Sequence, residues 1–121
     1  MNQSILPHAH DIPSHMENIG AALTRTERFE IAADIFKQLS DTTRLRIFWM
    51  LCHREQCVTN ISALMDMSSP AVSHHLRVLR SCGLIVSRRE GKEVYYRASE
   101  EDVAQLLHKT IEQVMDIACP D

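Results

Sequence analysis

The strongest constraint on this chain is a change of hydrophobic period at Gly83. Before it, Val72, Leu76 and Leu79 recur at three- and four-residue steps, the spacing of one helix face. After it, Leu84-Ile85-Val86-Ser87-Arg88-Arg89 and Glu93-Val94-Tyr95-Tyr96-Arg97 are short β-prone runs on either side of Glu90-Gly91-Lys92, which predicts a hairpin. Gly83 stands where a helix ends, because glycine takes the left-handed conformation there without strain. The helix before it is expected to start behind a Ser68 or Ser69 cap, with Pro70 tolerated in the first turn. A shorter helix from Asn60 to Met65, capped by Thr59, precedes it, and Asp66-Met67-Ser68 reads as the turn between them.

A short helix, a tight turn, a second helix and then a hairpin make a winged helix-turn-helix. The expected fold class is therefore mainly α with a β-hairpin wing. The remaining segments read as helices. One follows Ser14 and runs through Leu23. Another spans Thr26 to Leu39, with Phe29, Ala32, Ala33, Ile35, Phe36 and Leu39 at helical spacing. Ser40-Asp41 then caps Thr42 to His53, where Leu45, Phe48, Trp49 and Leu51 form a bulky apolar face and Trp49 is expected in the core. Ser99-Glu100-Glu101-Asp102 resembles a capping box opening a last helix to Ala118. Its apolar stripe is Val103, Leu107, Ile111, Val114 and Ala118, widened by Leu106 and Met115. Residues 1–13, polar and holding Pro7 and Pro13, are expected to form a mobile arm with His8 and His10, and 14–121 the winged helix-turn-helix domain. A length of 121 residues suits one domain with a core of its own.

The net charge of −3 hides an asymmetry. From Arg44 to Arg97 nine Lys/Arg face four acids, whereas the flanks hold four bases and twelve acids. A basic middle in an acidic frame suits a polyanion, and local phosphate contacts outweigh the global charge. On the second helix of the motif the 100° step turns Pro70, Ser73, His74, Arg77 and Ser81 away from Val72, Leu76 and Leu79. That face suits base edges and phosphates: Arg77 can address guanine, and Ser73 and His74 can donate to phosphates or bases. Ser68 and Ser69 stand at its leading end, and Arg88, Arg89 and Lys92 at the hairpin are placed to grip the backbone beside the groove. The same polar face would serve any surface helix, and an Arg pair also keeps an edge strand soluble. His75 falls nearer the core side.

Other classes fit poorly. No apolar run approaches the roughly 20 residues of a membrane span. The start, MNQSILPHAHDIP, carries no cationic segment followed by a long apolar one, so no signal peptide and a cytoplasmic location are expected. Four cysteines, at 52, 57, 82 and 119, in a helix-rich chain read as thiols for metal or redox chemistry and not as a disulfide framework. Neither a nucleophile–base spacing nor a glycine-rich phosphate loop suggests an enzyme.

These residues have a family likeness. Leu39-Ser40-Asp41-Thr42-Thr43-Arg44-Leu45-Arg46-Ile47, Glu55-Gln56-Cys57-Val58, Ser69-Pro70-Ala71-Val72-Ser73-His74-His75-Leu76, Gly83-Leu84-Ile85, Arg88-Arg89-Glu90-Gly91-Lys92 and Val94-Tyr95-Tyr96 resemble, in order and spacing, the ArsR/SmtB family of winged-helix repressors. The resemblance covers roughly residues 30–98. It implies a homodimer held by the first and last helices, binding to an inverted-repeat operator in double-stranded DNA, and release when an inducer binds.

The inducer implied is a metal ion, a metalloid or a thiol oxidant. Relatives with Cys-Val-Cys at the start of the motif hold soft ions, but here the text is Cys57-Val58-Thr59 and the second thiol is gone. Cys57 completed by His8, His10 and His15 of the arm suits zinc or another thiophilic or borderline ion as inducer, with no metal needed for folding. A second group of relatives chelates across paired C-terminal helices; the matching positions, Glu100, Asp102, Gln113 and Asp116, include no His. His108 and Glu112, one turn apart, make a further candidate pair, which Cys119 could join. Thiol-based sensing through Cys52, Cys57 or Cys82 is the alternative. A winged-helix protein-interaction module without DNA binding is the competing class, and salt separates the two, since only DNA binding weakens steeply with it.

Overall fold

A computed structural model describes residues 6–8 and 15–119. They fall into two compact units, residues 1–36 and 37–121. The first holds helix α1, Met16–Leu23, and all but the end of α2, Thr26–Leu39. The expected α1 cap, Ser14, lies outside the described residues; His15 occupies the cap position without a side-chain bond. Phe29, Ala32, Ala33 and Phe36 of α2 are exposed, Ile35 is half-buried, and Leu39 alone of that set is buried.

The second unit continues with α3 (Thr42–His53), β1 (Gln56–Cys57), α4 (Val58–Met65), α5 (Ser69–Ser81), β2 (Ile85–Glu90), β3 (Glu93–Ala98) and α6 (Asp102–Ala118). Its core is the fully enclosed set Ile47, Phe48 and Leu51 of α3, Ile61 of α4, Val72, Leu76 and Leu79 of α5, and Leu84 and Ile85 entering β2. Each such side chain contributes about 1.5–3 kcal/mol of burial. Ala104 and Leu107 seat α6 on this body.

Local chemistry sets the boundaries. The Asp41 carboxylate accepts the Arg44 N–H at 2.8 Å and starts α3. That backbone hydrogen bond also holds the Asp41 carboxyl below its ordinary pKa. Ser68 caps α5 by accepting the Ala71 N–H at 3.3 Å. Gly83, at φ 76°, closes α5: its N–H reaches the Arg80 carbonyl at 3.1 Å and the Leu84 N–H the Leu79 carbonyl at 3.1 Å. Strands β2 and β3 pair antiparallel from Ile85 with Ala98 to Glu90 with Glu93.

Four expectations need correction. The helix expected behind Thr59 starts at Val58 with Cys57 in the cap position, because Gln56 and Cys57 pair with Tyr96 and Tyr95 as a third strand, in the order β1-β3-β2. Trp49 is not core. It is 38% exposed, since Ile47, Phe48 and Leu51 fill the inward arc of α3, and it lines an apolar groove of about 480 Å³ with Leu45, Met50, Leu64, Ile111 and Met115. Ser99 does not make a capping box: it is buried, its hydroxyl accepts the Glu101 N–H at 3.1 Å, and α6 starts behind Glu101. The single stripe expected on α6 is two. Ala104, Leu107 and Ile111 turn inward, while Val103, Leu106, Val114 and Ile117 stand exposed within about 80° of one another by the 100° helical step.

Candidate nucleic-acid interface

The helix-turn-helix is α4, the Asp66-Met67-Ser68 turn and α5, with β2–β3 as the wing. Burial divides α5 as its period requires. Val72, Leu76 and Leu79 are buried, while Pro70, His74, Arg77, Arg80 and Ser81 are exposed and Ser73 is half-buried. The leading serines build the motif and still face outward. Ser68 accepts from the Ala71 N–H and keeps its own O–H to donate. Ser69 Oγ lies 3.2 Å from Ser62 Oγ, which ties α5 to α4. Arg77 makes no ion pair among the described residues, so its fork is available to an external acceptor.

His74 and His75 differ as expected. His74 is exposed, whereas His75 is half-buried, with Nδ1 3.4 Å from Arg44 Nη1. Burial, ahead of the neighbouring Arg44 and His74 charges, lowers the His75 pKa. The ring therefore favours its neutral form and serves the α3–α5 contact.

The wing separates its three cations. Arg89 and Lys92 are exposed and unpaired among the described residues. Arg88 is occupied: Nη2 and Nε reach Glu55 Oε1 and Oε2 at 2.6 and 3.0 Å, and Nη1 reaches Glu90 at 2.7 Å. Its guanidinium lies over the Tyr95 ring, 4.8 Å from the centroid. These hydrogen bonds raise the Arg88 pKa and lower that of Glu55. Arg88 thus straps β2 across β3 to the start of β1, a role its place in the sequence did not announce.

This arrangement has relatives. A profile described as "Bacterial regulatory protein, arsR family" matches residues 41–87. The chain is 39% identical over 87 residues to a Staphylococcus aureus protein named a cadmium resistance transcriptional regulatory protein CadC homolog, spanning 71% of this chain and 72% of the relative. The chain belongs to the arsR family. A Synechocystis protein named a transcriptional repressor SmtB homolog is 38% identical to this arsR-family chain over 84 residues, 69% of this chain and 64% of the relative. The homodimeric winged helix-turn-helix DNA-binding domain of Mycobacterium bovis Mb0332 superposes with TM-score 0.69 at 31% identity, over 93% of this chain and 94% of that one. The relatives are transcription regulators and not enzymes.

The sulfur and imidazole groups of this arsR-family chain spread over several places. None of the four cysteines is joined in a disulfide. Cys57 is buried at the β1–α4 junction. His8 and His15 are exposed in the other unit, and His10 lies outside the described residues. Cys52 is half-buried, and burial, followed by the Glu112 charge, pushes its thiol up to about 12, which disfavours the reactive thiolate. Cys82 ends α5 with its Sγ 3.4 Å from the Val78 carbonyl.

His108 and Glu112 do meet, and a residue that sequence reasoning missed joins them. His53, ending α3, places Nε2 3.1 Å from Glu112 Oε1 and 3.3 Å from His108 Nε2. Trp49 Nε1 donates to the same carboxylate oxygen at 3.0 Å. The His53 hydrogen bond, then those of Trp49 and His108, hold the Glu112 carboxyl below the usual carboxylate range. Cys119 is not in this group; seven residues on, it lies about 10 Å along the helix.

Proposed function

We propose that this chain is a homodimeric transcriptional repressor of the cytoplasm that binds an inverted-repeat operator in double-stranded DNA and releases it when an inducer, a thiophilic or borderline metal ion, binds. The observation that carries the reading is the division of α5: a buried aliphatic side holds it to the body, and an outward side offers Ser73, His74 and Arg77 with their neighbours Ser68 and Ser69. Arg77 is the candidate for base readout, and Ser73 and His74 for bases or phosphates. Arg89 and Lys92 supply phosphate contacts from the wing. The relatives named for cadmium resistance and as repressors support a metal inducer. Two ligand sets are candidates for that ion: Cys57 with His8, His10 and His15, which the family resemblance supplies, and the His108–Glu112 pair of α6. No helix among the described residues is long and apolar enough to cross a membrane.

Fluorescence anisotropy with a duplex that the protein itself selects from a random pool tests the reading. Affinity falls steeply between about 50 and 200 mM salt if several phosphates are bound. Arg77→Ala and His74→Ala each weaken binding by about 1–3 kcal/mol without dissociating the dimer. Unchanged affinity in both variants rejects α5 as the reading helix. Salt-insensitive binding to a protein partner alone would favour an interaction module.

A further inference from the structure

The cluster at the junction of α3 and α6 has the geometry of a cation site. His53 Nε2, His108 Nε2 and Glu112 Oε1 are separated by 3.1, 3.3 and 3.3 Å. Donors held about 2.0–2.1 Å from a zinc ion at tetrahedral corners stand roughly 3.3 Å apart. The side chains are thus already spaced as three ligands of one ion.

The protons support the same conclusion. Both imidazole Nε2 atoms point at Glu112 Oε1, so each would carry a hydrogen to donate to it. Two N–H groups would then face one another at 3.3 Å with no acceptor between them. A cation in that space takes a lone pair from each neutral ring and removes the conflict. Trp49 holds the frame. Its Nε1 hydrogen-bonds the carboxylate oxygen at 3.0 Å, and its ring packs on His53 with centroids 4.3 Å apart. An outer partner that orients the ligands is what a metal site requires.

We infer that His53, His108 and Glu112 bind a borderline divalent cation of the zinc, cobalt or nickel class, tying the end of α3 to the middle of α6. Two imidazoles and a carboxylate with no thiolate suit that class better than arsenite or another strongly thiophilic species. The fourth corner is left to water. Its regulatory consequence rests on the repressor reading above. Through β1, α3 leads into the helix-turn-helix, and α6 carries the exposed apolar stripe. An ion joining them couples the reading motif to the exposed apolar face of α6.

The test uses the full reduced chain, stripped of metal with a chelator and titrated with Co(II). One equivalent is expected, with the visible absorption of a four-coordinate site and without an intense near-ultraviolet thiolate band. His53→Gln and Glu112→Gln each weaken Co(II) binding at least 10-fold, His108→Gln likewise, and Cys57→Ser leaves it unchanged. Far-ultraviolet circular dichroism checks the fold. Should His108→Gln fail to fold, His53→Gln, at an exposed helix end, decides alone. Absence of Co(II) binding, a thiolate band lost in Cys57→Ser, or full binding in His53→Gln overturns the site. A parallel anisotropy titration with Zn(II) is expected to lower DNA affinity at least fivefold in wild type and not in His53→Gln. Metal binding with unmoved DNA affinity refutes the coupling and leaves the site standing. Metal binding by a chain that selects no duplex refutes the repressor reading instead.

Discussion

At the scale of single residues, the turn between α4 and α5 hangs on Asp66, the one non-glycine residue with positive φ among those described, at 52°. The helix closes around it: the Asp66 N–H reaches the Ala63 carbonyl at 3.3 Å and the Met67 N–H the Ser62 carbonyl at 3.0 Å. This is the arrangement that Gly83 makes after α5, built here with an L side chain. The left-handed conformation costs such a residue about 1–2 kcal/mol. Glycine returns about 0.4–1 kcal/mol of that through the greater freedom of the unfolded chain. Asp66→Gly is therefore expected to stabilise the protein by about 0.5–1 kcal/mol, read as a higher midpoint in urea unfolding; a lower midpoint would mean that the Asp66 side chain contributes more than its strain costs. Residues with local work, such as the Ser68 cap and Gly83, were legible in the sequence because their partners lie within five positions. Trp49 and His53 were not. Their partner Glu112 is 63 and 59 residues away, and only the packing of α6 on α3 brings it to them.

At the scale of elements, the wing shows why a count of cations overstates a DNA grip. Arg88, Arg89 and Lys92 read alike in the sequence, yet the strand alternates its faces, and Arg88 falls on the side where Tyr95 and Glu55 wait. The third strand that delivers Glu55 is two residues long, too short for a period of two to declare itself. Arg88 is accordingly engaged within the sheet, and the proposed phosphate contacts fall to Arg89 and Lys92. The expected outcome is a contrast within one hairpin. Arg89→Ala or Lys92→Ala reduces the dependence of log affinity on log salt by about one counterion's worth. Arg88→Ala leaves that slope unchanged while hydrogen exchange in β2 and β3 quickens. Equal slopes lost at Arg88 and Arg89 would show that the Glu55 and Glu90 bonds open on DNA.

At the scale of the whole molecule, the apolar surface decides. The helical period of α6 was readable, but Val103, Leu107, Ile111 and Val114 looked like one stripe because a sequence does not say how many bodies a helix touches. The structure buries Leu107, leaves Ile111 half-buried at the Trp49 groove, and leaves Val103, Leu106, Val114 and Ile117 at 48, 64, 56 and 86% exposed. Covering such partly exposed side chains gains roughly 1–2 kcal/mol each, or about 8–16 kcal/mol for the eight in a pair of chains. Association costs about 4–15 kcal/mol. The α6 stripe alone is therefore marginal for the proposed dimer. A single charge in the stripe should tip the balance. Leu106→Glu is expected to halve the mass seen by light scattering and to leave monomer stability within about 0.5 kcal/mol, as for other exposed substitutions. Operator affinity should fall about 100-fold or more, because the second reading helix is no longer delivered at high local concentration. A Leu106→Glu protein that keeps the full dimer mass would place the interface elsewhere, and a monomer with undiminished affinity would show that one copy of α5 and its wing suffices to hold the duplex.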